Sequence, residues 1–249
     1  MIEPVTVALV VGAFFFGGIV KGTIGLGLPV VVLATLVLVM PLTDAIAIFL
    51  LPGIITNIWQ ATNGPHLREL VARLWPFLAA AIFGIVLGVS VLAGSSSDLM
   101  VAVLGVMLII YSVYSLIAPR LPAPGRHEVW MAPASASSAG MLFGMTGLFI
   151  VPGILYLESL RLPRDVFVQA LGLTFITITS TMAVSLTRYS LLTWEHVTIS
   201  AVALLPVFLG LWLGRRMRHR ISEDGFRKVF FVALIIVGVY MIARNLDAI

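Results

Sequence analysis

Cysteine is absent from the 249 residues, which excludes a disulfide framework, a thiolate metal site and thiol chemistry. Charge is scarce. Asp, Glu, Lys and Arg make up 10% of the chain, where about 25% is usual in soluble domains. His66, His127, His196 and His219 fall in or beside the hydrophilic stretches, which argues against a metal site within the apolar runs. No carboxylate stands in the middle of such a run, so an evident proton relay is missing. The chain has no G-x-x-x-x-G-K-[ST] loop, no G-x-S-x-G elbow and no H-E-x-x-H pair. Direct use of ATP and the hydrolase and zinc-protease chemistries those motifs carry are therefore not expected. The expectation is a protein that is not an enzyme and needs no cofactor or metal. Glu3 stands where a secretory signal would have basic residues, and no cleavage site ends the first apolar run.

What is present is apolar. The hydrophobic fraction is 60%, against about 45–50% in soluble domains, and the mean hydropathy is +1.12. No Asp, Glu, Lys or Arg interrupts 22–43, 45–67, 74–97, 99–119, 129–157, 166–187 or 196–214. Each run reaches the roughly 18 residues that suggest a spanning helix. None alternates polar with apolar residues as a membrane β-barrel strand does. The chain reads as an all-α polytopic membrane protein. The formal charge of +4 sits between the apolar runs, where orientation signals belong, so nucleic acid is not an expected partner.

The longest hydrophilic stretch, Pro119–Glu128, lies near the midpoint and divides two similar halves. Gly18, Gly22 and Gly25 recur 122 residues later as Gly140, Gly144 and Gly147, and Pro41 recurs as Pro163. After a four-residue insertion, Gly84, Gly88, Asp98 and Tyr114 match Gly210, Gly214, Asp224 and Tyr240. The expected organisation is one transmembrane transporter domain over 1–249, with repeat 1 at 1–118, a linker at 119–130 and repeat 2 at 131–249. Repeats of this kind typify secondary transporters.

The first apolar unit of each half is long and broken. Residues 5–40 would span roughly 54 Å as one helix, yet the hydrocarbon core is about 30 Å. Gly22-Thr-Ile-Gly-Leu-Gly-Leu-Pro29 interrupts it, and Gly144-Met-Thr-Gly147 interrupts its counterpart. Each unit reads as a re-entrant hairpin turning at mid-depth, followed by three transmembrane helices. With the hairpins not crossing, and with Lys21 inside a break counted on neither face, twelve Lys and Arg residues fall on one face and only Arg188 and Arg244 on the other. That division satisfies the positive-inside rule. It makes the repeats inverted and places both termini outside.

Non-helical backbone at membrane depth must line a cavity or be buried in protein. The second limbs are expected to begin near Leu28 and Leu148. Helix N-termini there would offer free N–H groups and partial positive charge to an anion. Lys21, Gly22, Thr23, Gly25 and Gly27 in the first break, and Thr146, Gly147 and Leu148 in the second, are candidate ligands. Lys21 is the only charge within a break, and its repeat counterpart is Phe143. Pro52 is expected to kink its helix and free a carbonyl, with Asn57 and Gln60 following. Gln169 and Thr174 are further candidates from the sixth unit. Packing or interhelical hydrogen bonding is the competing reading for all of these. Gly84-xxx-Gly88 and Gly210-xxx-Gly214 read as close-packing motifs alone.

The paired glycine–proline segments, with Leu51-Pro-Gly-Ile-Ile-Thr-Asn-Ile-Trp-Gln60 and Gln169-Ala-Leu-Gly172, resemble the signature of the TauE/SafE sulfite exporter family over nearly the whole chain. Many members carry three consecutive glycines where this chain has Gly25-Leu-Gly27 and Gly147-Leu-Phe149. The resemblance implies a secondary transporter in the bacterial inner membrane, exporting sulfite or an organosulfonate that binds midway between the breaks. An anion channel, or an importer of a related small organic anion, is the alternative on the same scaffold. The expected partners are the anion and membrane lipid, with assembly into a homodimer left open.

Overall fold

The computed structural model describes residues 4–117, 122–149, 151–217 and 223–245. Arg120, Arg218 and Arg220 of the loop charge count lie outside the described residues, as does the side chain of Asp224. Ten α-helices and a short 3-10 turn, Gly125–His127, make up the described elements, with no strand among them. The first half forms α1 Pro4–Ile24, α2 Leu28–Leu36, α3 Leu42–Thr62, α4 Leu67–Gly94 and α5 Ser97–Ile117. The second half forms α6 Glu128–Thr146, α7 Gly153–Ser159, α8 Arg164–Arg188, α9 Trp194–Met217 and α10 Glu223–Arg244. Each half is thus a broken helix pair followed by three helices, the expected all-α order.

Six described helices are long and apolar enough to cross a membrane: α1 over Thr6–Thr23, and α3, α4, α5, α8 and α9. This set includes α1, expected as a short limb. Tryptophans 59, 75, 130 and 194 stand exposed near helix ends, where an aromatic belt belongs.

The chain divides into two compact units that do not follow the repeat boundaries. One takes Met1–Pro52, Ser96–Ala118 and Leu192–Ile249, and the other Gly53–Ser95 and Pro119–Leu191. The reason lies in which glycines meet. In the first unit α1 packs on α9. A Cβ at Gly18 would lie 2.5 Å from the Val207 carbonyl oxygen, and one at Gly22 would lie 2.6 Å from that of Leu211. Gly210 and Gly214 face the carbonyls of Phe15 and Ile19 in return. In the second unit α6 packs on α4 in the same way. Gly140 and Gly144 lie on Ala81 and Ile85, and Gly84 and Gly88 on Ser137 and Met141. Repeat-equivalent glycines therefore build equivalent seams, each joining one helix from either half. Small residues let backbones approach closely enough for Cα–H···O contacts.

Helix α3 passes from the first unit to the second between Pro52 and Gly53. Pro52 has no N–H for the carbonyl of Ile48, four residues earlier. The Ser200 hydroxyl of α9 reaches that carbonyl instead, at 2.7 Å, and shares its one proton between it and the His196 carbonyl, also at 2.7 Å. Ser200→Ala is expected to destabilise the chain by about 1 kcal/mol, near the usual range for side-chain hydrogen bonds in membranes. Pro52→Ala restores the backbone donor, so Ser200→Ala in that background should cost almost nothing. Thermal unfolding of the two single variants and the double variant measures this coupling.

Candidate functional site

In the first unit the break follows from two left-handed glycines. α1 runs through Gly22, whose place is held by contact with α9, and ends at Ile24. Gly25 has φ +83° and its N–H donates to the Lys21 carbonyl at 2.8 Å. Gly27 has φ +99° and caps α2, with Pro29 in the first turn. Only glycine adopts such φ values without strain, and proline suits a first helical turn. α2 begins at Leu28, as expected.

The depth of this turn differs from the expected one. The pairs Gly18–Gly210 and Gly22–Gly214 make α1 and α9 parallel. Gly22 lies against the backbone N of Arg215, so Gly25 is level with the end of α9 at Met217. The first limb is 21 residues, about 31 Å at 1.5 Å per residue, so it runs the full length of its neighbour. The turn therefore sits at a helix end rather than midway. Lys21 in the last turn of α1 and Arg215 and Arg216 in the last turn of α9 put three cations there, where helix dipoles favour them. Lys21 is half-buried. Thr23 donates to the carbonyl of Ile19 at 2.9 Å, with that of Gly214 at 3.3 Å.

In the second unit Gly147, with φ +76°, ends α6, and its N–H donates to the Phe143 carbonyl at 2.7 Å. Here the next helix does not begin at Leu148, as expected, but at Gly153. A residue preceding proline disfavours the α region, and Val151 precedes Pro152. Phe149 also anchors the intervening chain. It is buried among Phe77, Phe143 and Phe175, all at edge-to-face geometry. It stands where repeat 1 has Gly27, so the second turn is filled by a ring. The N–H of Leu148 is taken by the Thr146 hydroxyl at 3.3 Å, and that hydroxyl donates to the Leu142 carbonyl at 2.7 Å. The seams also make α6 parallel to α4, so Gly147 lies within about one turn of the end of α4.

Two other candidates, Gln60 and Gln169, meet where the second half of α3 packs on α8. Gln60 donates to the Val168 carbonyl at 3.0 Å. Gln169 donates to the carbonyls of Ala61 at 2.8 Å and Gly64 at 2.9 Å, and its Oε1 accepts from the His66 N–H at 3.1 Å. Gly172 lets the α3 backbone approach, touching Ala61. One amide donor of Gln169 thus joins α8 to α3, and the other ties α8 to the loop that follows α3. Asn57 is one turn along α3 from Ala61, and Thr174 one turn along α8 from Ala170; both are buried. Thr174 Oγ1 is the one buried side-chain polar atom without a hydrogen-bond partner among the described residues. Such an atom costs about 1–3 kcal/mol.

Ser200, and the pair formed by Asp44 and His196 at 3.5 Å in the first unit, are not among the sequence candidates. Only the free carbonyl behind Pro52 signals Ser200.

A model of the sulfite exporter TauE/SafE family matches residues 10–241. The chain belongs to the TauE/SafE family. Comparison with curated proteins and with solved structures returns no match. As a TauE/SafE protein with several membrane-length helices, it is a multi-pass membrane transporter of sulfur-containing anions. The match begins inside α1 and ends inside α10, so both glycine turns and both seams belong to the family region.

Proposed function

We propose that this TauE/SafE protein exports sulfite or a small organosulfonate from the cytoplasm, as a secondary transporter of the bacterial inner membrane. The observation that carries this reading is the first glycine turn. Irregular backbone at Gly25–Gly27 stands beside Lys21 at a helix end that also bears Arg215 and Arg216. Cations and a left-handed turn at the end of an apolar helix suit an anion leaving water. Within the second unit, the turn at Thr146–Leu148 and the buried polar groups Asn57, Gln60, Gln169 and Thr174 are the candidate contacts for the anion. Gln60 and Gln169 act there by holding α3 to α8.

Inverted repeats with both termini outside are supported by the twelve-to-two division of basic residues. Alternating access is supported by the division of the chain into two compact units, each with one glycine turn. Export needs no pump, because an inside-negative potential favours anion exit by about 2.3 kcal/mol per charge per 100 mV.

Lys21→Ala tests the assigned charge. In proteoliposomes at neutral pH its sulfite KM is expected to rise about tenfold, a loss of about 1.4 kcal/mol, with the folded yield kept. Unchanged KM and flux would remove Lys21 from the anion's path.

A further inference from the structure

We propose that the Thr174 hydroxyl is the group that recognises an oxygen of the transported sulfur oxyanion, donating a hydrogen bond to it. This rests on the transport reading above and adds to it the chemistry of one contact.

Thr174 differs from every other described threonine of α8. Thr177, Thr179, Thr181 and Thr187 each donate to the carbonyl four residues earlier, those of Leu173, Phe175, Thr177 and Ala183. For Thr174 that acceptor would be Ala170, on the same regular helix, and the bond is not made. The side chain is fully buried at 0% exposure, so bulk water does not serve it either. Valine has the same shape and leaves no unmet donor. A buried hydroxyl held away from its local acceptor is a group poised for a partner of its own.

The row on which it stands is apolar. Ala170, Ile178 and Met182, one turn apart on the same face, are each fully buried. A hydroxyl among them is a single directional donor in a low-dielectric wall, where a hydrogen bond to an oxyanion is strengthened. Unprotonated sulfite and sulfonates present three oxygens that only accept hydrogen bonds from protein donors, which matches a hydroxyl donor.

The test uses the full chain with Thr174→Val and Thr174→Ser, read by thermal unfolding in detergent and by flux of sulfite and of methanesulfonate in proteoliposomes. Thr174→Val is expected to unfold at the same temperature as the unaltered chain or higher, since an unmet donor is gone. Its KM should rise about tenfold for both anions, and the upward shift in unfolding temperature that sulfite gives the unaltered chain should vanish. Thr174→Ser, which keeps the hydroxyl, should stay within about twofold of the unaltered KM. A lower unfolding temperature for Thr174→Val with KM unchanged would show a structural hydroxyl and overturn this assignment alone. Absence of sulfite and methanesulfonate flux in the unaltered chain would overturn the transport reading, and this assignment with it.

Discussion

Gly84→Leu is expected to abolish accumulation of the folded chain in the membrane, while Gly12→Leu on a neighbourless face leaves yield unchanged. A side chain at Gly84 would fall on the backbone carbonyl of Ser137, with the Met141 nitrogen at 2.8 Å. These are main-chain atoms of α6 and have no rotamer to swing aside. α4 and α6 would have to separate along the whole seam, which also carries Gly88, Gly140 and Gly144. Phe77, Ala81, Ile85 and Val89 of α4 are fully buried and would lose contact. Adding a few methylenes to a packed core typically costs about 1–3 kcal/mol. A leucine against immovable backbone exceeds that and takes most of a net stability of about 5–15 kcal/mol. A Cβ added at Gly12 would have no atom within 4 Å, so substitution there removes only the glycine penalty of about 1 kcal/mol. Fluorescence-detected size exclusion of the two variants separates them, with Gly84→Ala expected between. Equal yields for Gly84→Leu and Gly12→Leu would mean that the seam does not hold α4 to α6.

Gln169→Leu is expected to destabilise the chain by about 2–4 kcal/mol. The change keeps the apolar volume near that of the amide but removes three hydrogen bonds. It strands the carbonyls of Ala61 and Gly64 and the N–H of His66. Side-chain hydrogen bonds within membranes average about 0.6 kcal/mol, which sets the lower figure. A buried group left unpaired costs about 1–3 kcal/mol, and the partial exposure at Gly64 and His66 holds the sum down. Gln169→Glu should be no better, because its carboxylate keeps an acceptor for His66 but faces two carbonyl oxygens. Thermal unfolding in detergent gives the magnitude. Hydrogen exchange at Asn63–His66 locates it, since the end of α3 should fray once its clamp is gone. If Gln169→Leu raised the sulfite KM at an unchanged unfolding temperature, the side chain would be a ligand rather than a clamp.

The glycines show how much of this is legible in the sequence. The two offsets identify equivalent positions and so the order of elements in each half. They do not say that Gly18 meets Gly210 and Gly140 meets Gly84, because an offset gives equivalence and not contact. The units are consequently interleaved, where the sequence suggests two halves. The depth of the first turn differs from expectation for a related reason. Glycine at position 22 reads as a helix breaker, yet contact with α9 holds it helical, and α1 gains a turn before Gly25. Tertiary packing overrides propensity there. In the second half, Phe149 in place of a glycine hints at a different turn. That the ring packs on Phe77, Phe143 and Phe175, and delays α7 to Gly153, follows only from the fold.

The polar candidates divide along the same line. Gln60, Gln169, Asn57 and Thr174 stand out as amides and hydroxyls in apolar runs, and the contact of α3 with α8 brings Gln60 and Gln169 together. Sequence alone does not tell a satisfied amide from an unsatisfied hydroxyl. Ser200 is invisible there because a serine one turn inside a helix is ordinary until its acceptor is known. Here the acceptor is the carbonyl that Pro52 leaves free.

The most direct test of the account is labelled sulfite flux from proteoliposomes holding the purified chain, with the membrane potential clamped at several values. The account predicts saturable efflux that rises as the sulfite-loaded side becomes more negative and that organosulfonates inhibit competitively. Efflux indistinguishable from protein-free liposomes at every potential, or flux that grows without saturation as sulfite is raised, would contradict it.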